Sequence, residues 1–176
     1  MMPAPELDVE LDIVIECDKW PSDAETIVRR ALAQAAESVQ QDLVREDLVR
    51  EDLAARALSV LLTDDAAIRR LNATWRGLDK PTNVLSFPAP PNDPSRALGD
   101  IAIAFETTAR EATAENKRLA HHLSHLAVHG FLHLIGYDHE SDAQAEQMEG
   151  LERKVLAVLG VPDPYALEQP SEDARI

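Results

Sequence analysis

His129-Gly130-Phe131-Leu132-His133-Leu134-Ile135-Gly136-Tyr137-Asp138-His139 sets two histidines four residues apart and a third after five intervening residues. Four residues make about one turn of an α-helix, so both imidazoles leave one face if this segment is helical. Gly136 falls where such a helix would stop, because glycine accepts the left-handed backbone of a C-terminal cap. The chain then turns through Tyr137 and Asp138 and brings His139 back toward the first pair. Three neutral imidazoles converging from a helix and its following turn are the ligand set of a catalytic zinc, with the fourth position left to water. One Zn2+ per chain is therefore expected at His129, His133 and His139.

Histidine pairs at helical spacing also occur as surface residues or as hydrogen-bonded core residues. The third histidine, just past a helix-ending glycine, is what selects the metal. The same spacing, glycine included, is the ligand frame of the metzincin proteases. Gly130, however, stands where those proteases carry the glutamate that acts as general base. The motif predicts a metal site without a protease base.

Moving outward, three more blocks stand beside this motif. They are Arg70-Leu71-Asn72 with Trp75-Arg76-Gly77, then Asp79-Lys80-Pro81-Thr82-Asn83-Val84-Leu85-Ser86-Phe87-Pro88, then Leu98-Gly99-Asp100-Ile101-Ala102-Ile103. Together with the histidine run they resemble the YbeY family, bacterial zinc-dependent endoribonucleases associated with ribosomal RNA maturation. The likeness covers most of residues 58–160. It implies a single-strand-specific endoribonuclease acting on small-subunit (16S) ribosomal RNA, with the ribosome as partner. It also implies that Arg76 is functionally essential. A guanidinium suits a phosphodiester because it stays charged and can hydrogen-bond two oxygens at once. Leu78 departs from the lysine expected in that block, and Lys80 is placed to compensate.

The rest of the composition fits one soluble globular domain. At 176 residues, 45% hydrophobic and 28% charged, the chain can hold a single core. No apolar run approaches the roughly 18–20 residues of a membrane span. Met1-Met2-Pro3-Ala4-Pro5-Glu6 lacks the basic start of a secretory signal, and the lone Cys17 fits a reducing compartment. A cytoplasmic location is expected. The net charge of −15 opposes phosphate binding as a total, but residues 55–80 carry five bases against three acids. A local basic groove around Arg76 and the metal, bordered by Arg69, Arg70 or Lys80, is expected on an acidic body. Seven aromatics leave little for base stacking, so RNA contact should lean on backbone and shape.

Read in order, Val9–Cys17 alternates acidic and apolar residues and predicts a half-buried strand with Val9, Leu11, Ile13 and Ile15 on one face. Cys17 is expected as an apolar filler in that strand. Asp23 and its neighbours cap an alanine-rich helix over 24–39, with Ile27, Val28, Leu32 and Ala35 inward. The repeated pentads Arg45-Glu46-Asp47-Leu48-Val49 and Arg50-Glu51-Asp52-Leu53-Ala54 match neither helical nor strand period, so 40–54 reads as a charged connector. Further strands are expected at 57–62, 83–87 and 99–105. Further helices are expected through Ile68, Leu71 and Trp75 after a cap at Thr63-Asp64-Asp65, from Thr107 or Thr108 with a break near Asn116, from about Leu119 to Ile135, and from Ser141 to Leu159. The expected fold is α/β of the α+β type: one small domain over 1–165, a mixed sheet of about four strands and about five helices, and a polar tail at 166–176. The metal site should lie on a long helix and the turn after it.

The expected catalytic residues are Arg76 and His129, with Arg70 and Lys80 as substrate contacts. His125 and Asp138 are expected in support of the metal ligands, and His121 and His122 as solvated surface residues. Two other readings share the metal motif. In one, a fourth histidine closes the site and zinc braces a ribosome-assembly factor. In the other, the protein is a metallohydrolase acting on a peptide or small molecule.

Overall fold

The alternation near the start of the chain forms strand β1 (Glu10–Ile15) in the computed structural model of this protein, which describes residues 10–45, 56–90 and 92–166. The alanine-rich stretch follows as helix α1 (Ala24–Arg45). Then come β2 (Ala57–Thr63), α2 (Asp65–Arg76), β3 (Val84–Pro88), β4 (Ala97–Ala104), α3 (Phe105–Ala114), α4 (Leu119–Leu134) and α5 (Asp142–Val158). The strand order is β1-β2-β4-β3. β1, β2 and β4 run parallel, and β3 closes the sheet antiparallel to β4. Among the described residues, this four-stranded mixed sheet with five helices is the architecture the sequence predicts.

The core follows the two periodicities. In α1, Ala24, Val28, Ala31, Leu32, Ala35, Ala36 and Val39 are buried, a stripe at the helical period with small residues where neighbours approach closely. In β4, Ile101 and Ile103 join the large cluster with Leu58, Val60, Leu62, Leu123 and Phe131. Ala102 and Ala104 point the other way and meet Ile68 of α2. A strand covered on both faces needs no polar alternation, which is why this run reads as continuously apolar. Fully burying a side chain such as Phe131 contributes roughly 1.5–3 kcal/mol.

Helix α4 lies at the centre of the helical layer, packed on β3 and β4 and flanked by α1, α3 and α5. Gly130 explains how it gets so close to the sheet. A Cβ there would stand 3.1 Å from both Ile101 Cγ2 and Ser86 Oγ. The Ser86 hydroxyl donates to the Gly130 carbonyl at 3.1 Å. The position that holds the base in metzincins therefore faces the sheet.

Several boundaries differ from expectation for tertiary reasons. Ile15, expected on the buried face, is 44% exposed, as is Val14 at 46%; both stand at the end of β1, an edge strand of the sheet. Cys17 is buried but lies beyond the strand. Helix α3 begins at Phe105 rather than at a threonine. Its start is fixed by reciprocal capping with α2: Asp65 Oδ1 accepts from the Thr107 N–H at 3.0 Å, and Glu106 Oε2 accepts from the Asp65 N–H at 2.8 Å. Helix α1 runs on into the predicted connector as far as Arg45. The rest of the pentad region, 46–54, and Val9 lie outside the described residues, as does the tail beyond 166. Among the described residues no helix is long and apolar enough to cross a membrane.

Candidate metal centre

The end of α4 builds the site. Gly136 adopts φ +102°; its N–H donates to the His133 carbonyl at 3.1 Å, and the Tyr137 N–H donates to the Leu132 carbonyl at 3.0 Å. This pair of bonds is a Schellman closure, which turns the chain sharply. The Tyr137 carbonyl is thereby brought beside the helix it has just left and accepts from His133 Nδ1–H at 3.0 Å. The Asp138 carboxylate accepts from the His139 N–H at 2.8 Å, so it holds the backbone of His139 rather than an imidazole. The ring centres of His129 and His133 stand 4.6 Å apart, with His139 5.8 Å and 5.1 Å from them.

The protons in this cluster can be assigned from the partners. A carbonyl only accepts, so His133 must carry its proton on Nδ1. His129 Nδ1 faces the Glu152 carboxylate at 2.6 Å and likewise donates. In the neutral rings both Nε2 atoms are then lone pairs, and they face each other at 3.1 Å. Two bare lone pairs at that distance repel. A cation between them removes the conflict, and two nitrogens at about 2.0–2.1 Å from a tetrahedral zinc would lie about 3.3–3.4 Å apart. Burial, then the neighbouring His129 and His139, lowers the pKa of His133, which favours the neutral form a metal requires.

Among the described residues, two groups of side chains could hold a metal ion: His129, His133 and His139, and His125, His129 and Glu152. In the second group the contacts are already hydrogen bonds that carry protons. His125 Nε2–H donates to Glu152 at 2.8 Å, and the Tyr165 hydroxyl donates to the same carboxylate oxygen. His125 is thus turned toward Glu152, not toward the trio, and does not close the first group as a fourth ligand.

Glu152 and Tyr165 were not found from sequence. Glu152 is wholly buried. Burial alone would raise its pKa, but the hydrogen bonds from His125, His129 and Tyr165 outweigh it and hold the carboxylate down to about 2. Burial, then the adjacent Glu152 charge, pushes the Tyr165 phenol up. A signal for Glu152 was present: it falls between Met148, Leu151 and Val155 on the inward stripe of α5, where an acid needs buried partners. Tyr165 reaches it because the segment after α5 docks, with Asp163 accepting from the Tyr165 N–H at 2.8 Å and the Arg153 guanidinium 5.1 Å from the tyrosine ring centre.

His122 corrects another expectation. It is buried, not solvated, and pairs with Glu111 at 2.8 Å, whose carboxylate also accepts from Asn83 Nδ2. His121 is half-buried.

Arg76 ends α2 and is exposed. Its Nη2 donates to the Ser86 carbonyl at 2.6 Å, and its guanidinium stands 5.5 Å from the Phe87 ring centre. With His129, His133 and His139 it lines one cavity of about 550 Å3. Arg70 and Lys80 are exposed and do not line that cavity. Arg69 is paired with Asp79 at 2.8 Å. The cavity carries Asp138 and Glu140 beside Arg76, so the side chains alone do not make the positive cleft that the sequence suggested. A divalent cation would change that balance.

Residues 18–160 match the family model for Endoribonuclease YbeY. The chain belongs to the YbeY family. It is 57% identical over 164 residues to a protein of Nitrobacter winogradskyi named Endoribonuclease YbeY, covering 89% of this chain and 81% of that one. It is 54% identical over 173 residues to a Rhodopseudomonas palustris protein of the same name, covering 95% of each. The solution structure of Thermotoga maritima TM1509 shares the fold at 23% identity and a TM-score of 0.56, covering 91% of this chain and 99% of that one.

Proposed function

We propose that this protein is a zinc-dependent endoribonuclease of single-stranded RNA, working in the cytoplasm on small-subunit (16S) ribosomal RNA during maturation and quality control. Membership of a family whose members are named endoribonucleases supports the reaction class. The observation that carries the metal reading is the pair of His129 and His133 Nε2 atoms, 3.1 Å apart with both Nδ1 atoms already committed. The ribosomal role rests on the likeness of the sequence blocks. We further take residues 1–165 as one domain and 166–176 as a polar tail.

In this reading His129, His133 and His139 would hold the zinc, which when bound would either acidify a water or act as a Lewis acid on the phosphate while the RNA's own 2′-hydroxyl attacks. Glu152 keeps the His129 proton on Nδ1 and its ring in place. Arg76 binds the non-bridging phosphate oxygens. One of its nitrogens is fixed by the Ser86 carbonyl, so the rest of the fork is aimed before the substrate arrives, and it stabilises charge that grows on phosphorus in the transition state. Arg70 and Lys80 would serve as outer phosphate contacts along the strand. Hydrolysis of peptides is disfavoured because position 130 faces the sheet and no side chain there could act on a bound substrate.

The test is cleavage of a 16S-derived single-stranded fragment by purified protein, against the same sequence annealed to its complement. Cleavage that needs the single strand and stops with a chelator is expected. Cleavage unaffected by both chelator and His133→Ala would overturn the metal reading, and absence of cleavage with zinc present would overturn the enzymatic one.

A further inference from the structure

Trp75 immediately precedes Arg76 and is 68% exposed. The other tryptophan, Trp20, is buried, donates its indole N–H to the Thr63 carbonyl at 3.1 Å, and packs edge-on against Phe105. An indole left this far in water is uncommon, since tryptophan is highly buried on average. Trp75 is nevertheless held. Its ring meets Phe87 at 6.4 Å and 61°, and the Arg76 guanidinium lies against that same Phe87. Arg76, Ser86 and Pro88 line the cavity of the three histidines. Trp75 and Phe87 do not themselves line that cavity; Trp75 stands just outside it, beside Arg76 in the chain and against Phe87.

We propose that Trp75 is a stacking platform for a nucleobase of single-stranded RNA, taken from a nucleotide beside the phosphate that Arg76 binds. An indole face accepts any base, because every base has a π-face, so the platform contributes affinity without sequence choice. It also selects for single strands, since the faces of paired bases are already covered by their neighbours. A protein partner fits less well. Among the described residues the other exposed large apolar side chains are Leu78, close by in the chain, Val14 and Ile15 on the opposite edge strand, and Val158 at the end of α5, so the patch is small for a protein interface. The proposal rests on the endoribonuclease reading and adds the residue that grips the base.

The two tryptophans make the test direct. Wild-type protein with zinc is titrated with a non-cleavable 2′-O-methyl oligonucleotide, following both tryptophan emission and the anisotropy of a dye on the oligonucleotide. RNA should quench the exposed Trp75, and an oligonucleotide with abasic positions should bind without quenching. Trp75→Leu should weaken binding by about 5- to 150-fold, the range for loss of one base–aromatic stack, while Trp75→Phe should recover most of it. In turnover the loss should fall on KM far more than on kcat. Binding by anisotropy with no change in emission, or Trp75→Leu binding as tightly as Trp75→Phe, would overturn the platform and leave the endoribonuclease reading standing. No binding and no cleavage by the wild type would overturn both.

Discussion

Glu152 Oε1 lies 2.6 Å from His129 Nδ1, and Oε2 of the same buried carboxylate lies 2.8 Å from His125 Nε2. One acid on α5 thus fixes the proton of a candidate ligand on α4 and, through Tyr165, ties the segment after α5 to the site. A carboxylate behind a histidine orients the ring and strengthens its bond to metal.

Glu152→Gln is therefore expected to weaken zinc binding by roughly 10- to 100-fold, the usual effect of losing such a partner. The amide can accept from one histidine but turns its own N–H groups toward the other. Competition with a chromophoric chelator measures this directly, and unchanged affinity would mean that His129 is held by its helix alone.

Arg76→Ala should separate chemistry from folding. The exposed guanidinium is expected to contribute less than about 1 kcal/mol to stability, so zinc content and Tm should stay near wild type. Cleavage should fall by on the order of 100-fold or more, as when a transition-state charge donor is removed. His129→Ala should lose zinc, activity and part of the thermal stability together. Loss of zinc from the Arg76→Ala protein would mark that arginine as structural.

Acid should destabilise the metal-free protein, and the sign follows from two groups. Glu152 has a folded pKa of about 2 against an ordinary 4.5, so its stabilisation is fully present above about pH 4.5 and is lost as pH falls toward 2. The pKa of His133 is lowered from 6.5; its neutral form is favoured in the fold, and that contribution also disappears on acidification below 6.5. Zinc should be released over the same descent, because protons compete for the ligand nitrogens. Urea unfolding at several pH values, with metal content read in parallel, checks both. Equal stability at pH 3 and pH 7 would contradict the assignment of Glu152.

Gly130→Ala should cost about 1–3 kcal/mol by overpacking against Ile101 and Ser86. Gly130→Glu should cost more and confer no peptidase activity, since the new carboxylate would be driven into the sheet. A lower Tm with zinc still bound is the expected result for the alanine variant, read by calorimetry and metal analysis. An alanine variant as stable as wild type would show that α4 can move away from the sheet without penalty.

Whatever is local or periodic in this protein could be read from its residues in order. The i, i+4 histidines, the glycine that ends their helix, the apolar stripes of α1 and α5 and the buried run of β4 each follow from a repeat of 3.6 or 2, or from one residue's backbone freedom. These were enough for the layer architecture and the three candidate ligands, while the family came from the likeness of the sequence blocks. Relations between residues far apart in the chain came only with the folded arrangement. It alone brought Glu152 and Tyr165 to His129 and His125, buried His122 against Glu111, capped α2 and α3 with each other's acids, and turned Gly130 to the sheet. It also set Arg76 in the cavity wall with the histidines and left Arg70 and Lys80 outside it. Charge counts along the chain could not foresee this, because a charge acts through its distance and burial, and the fold sets both.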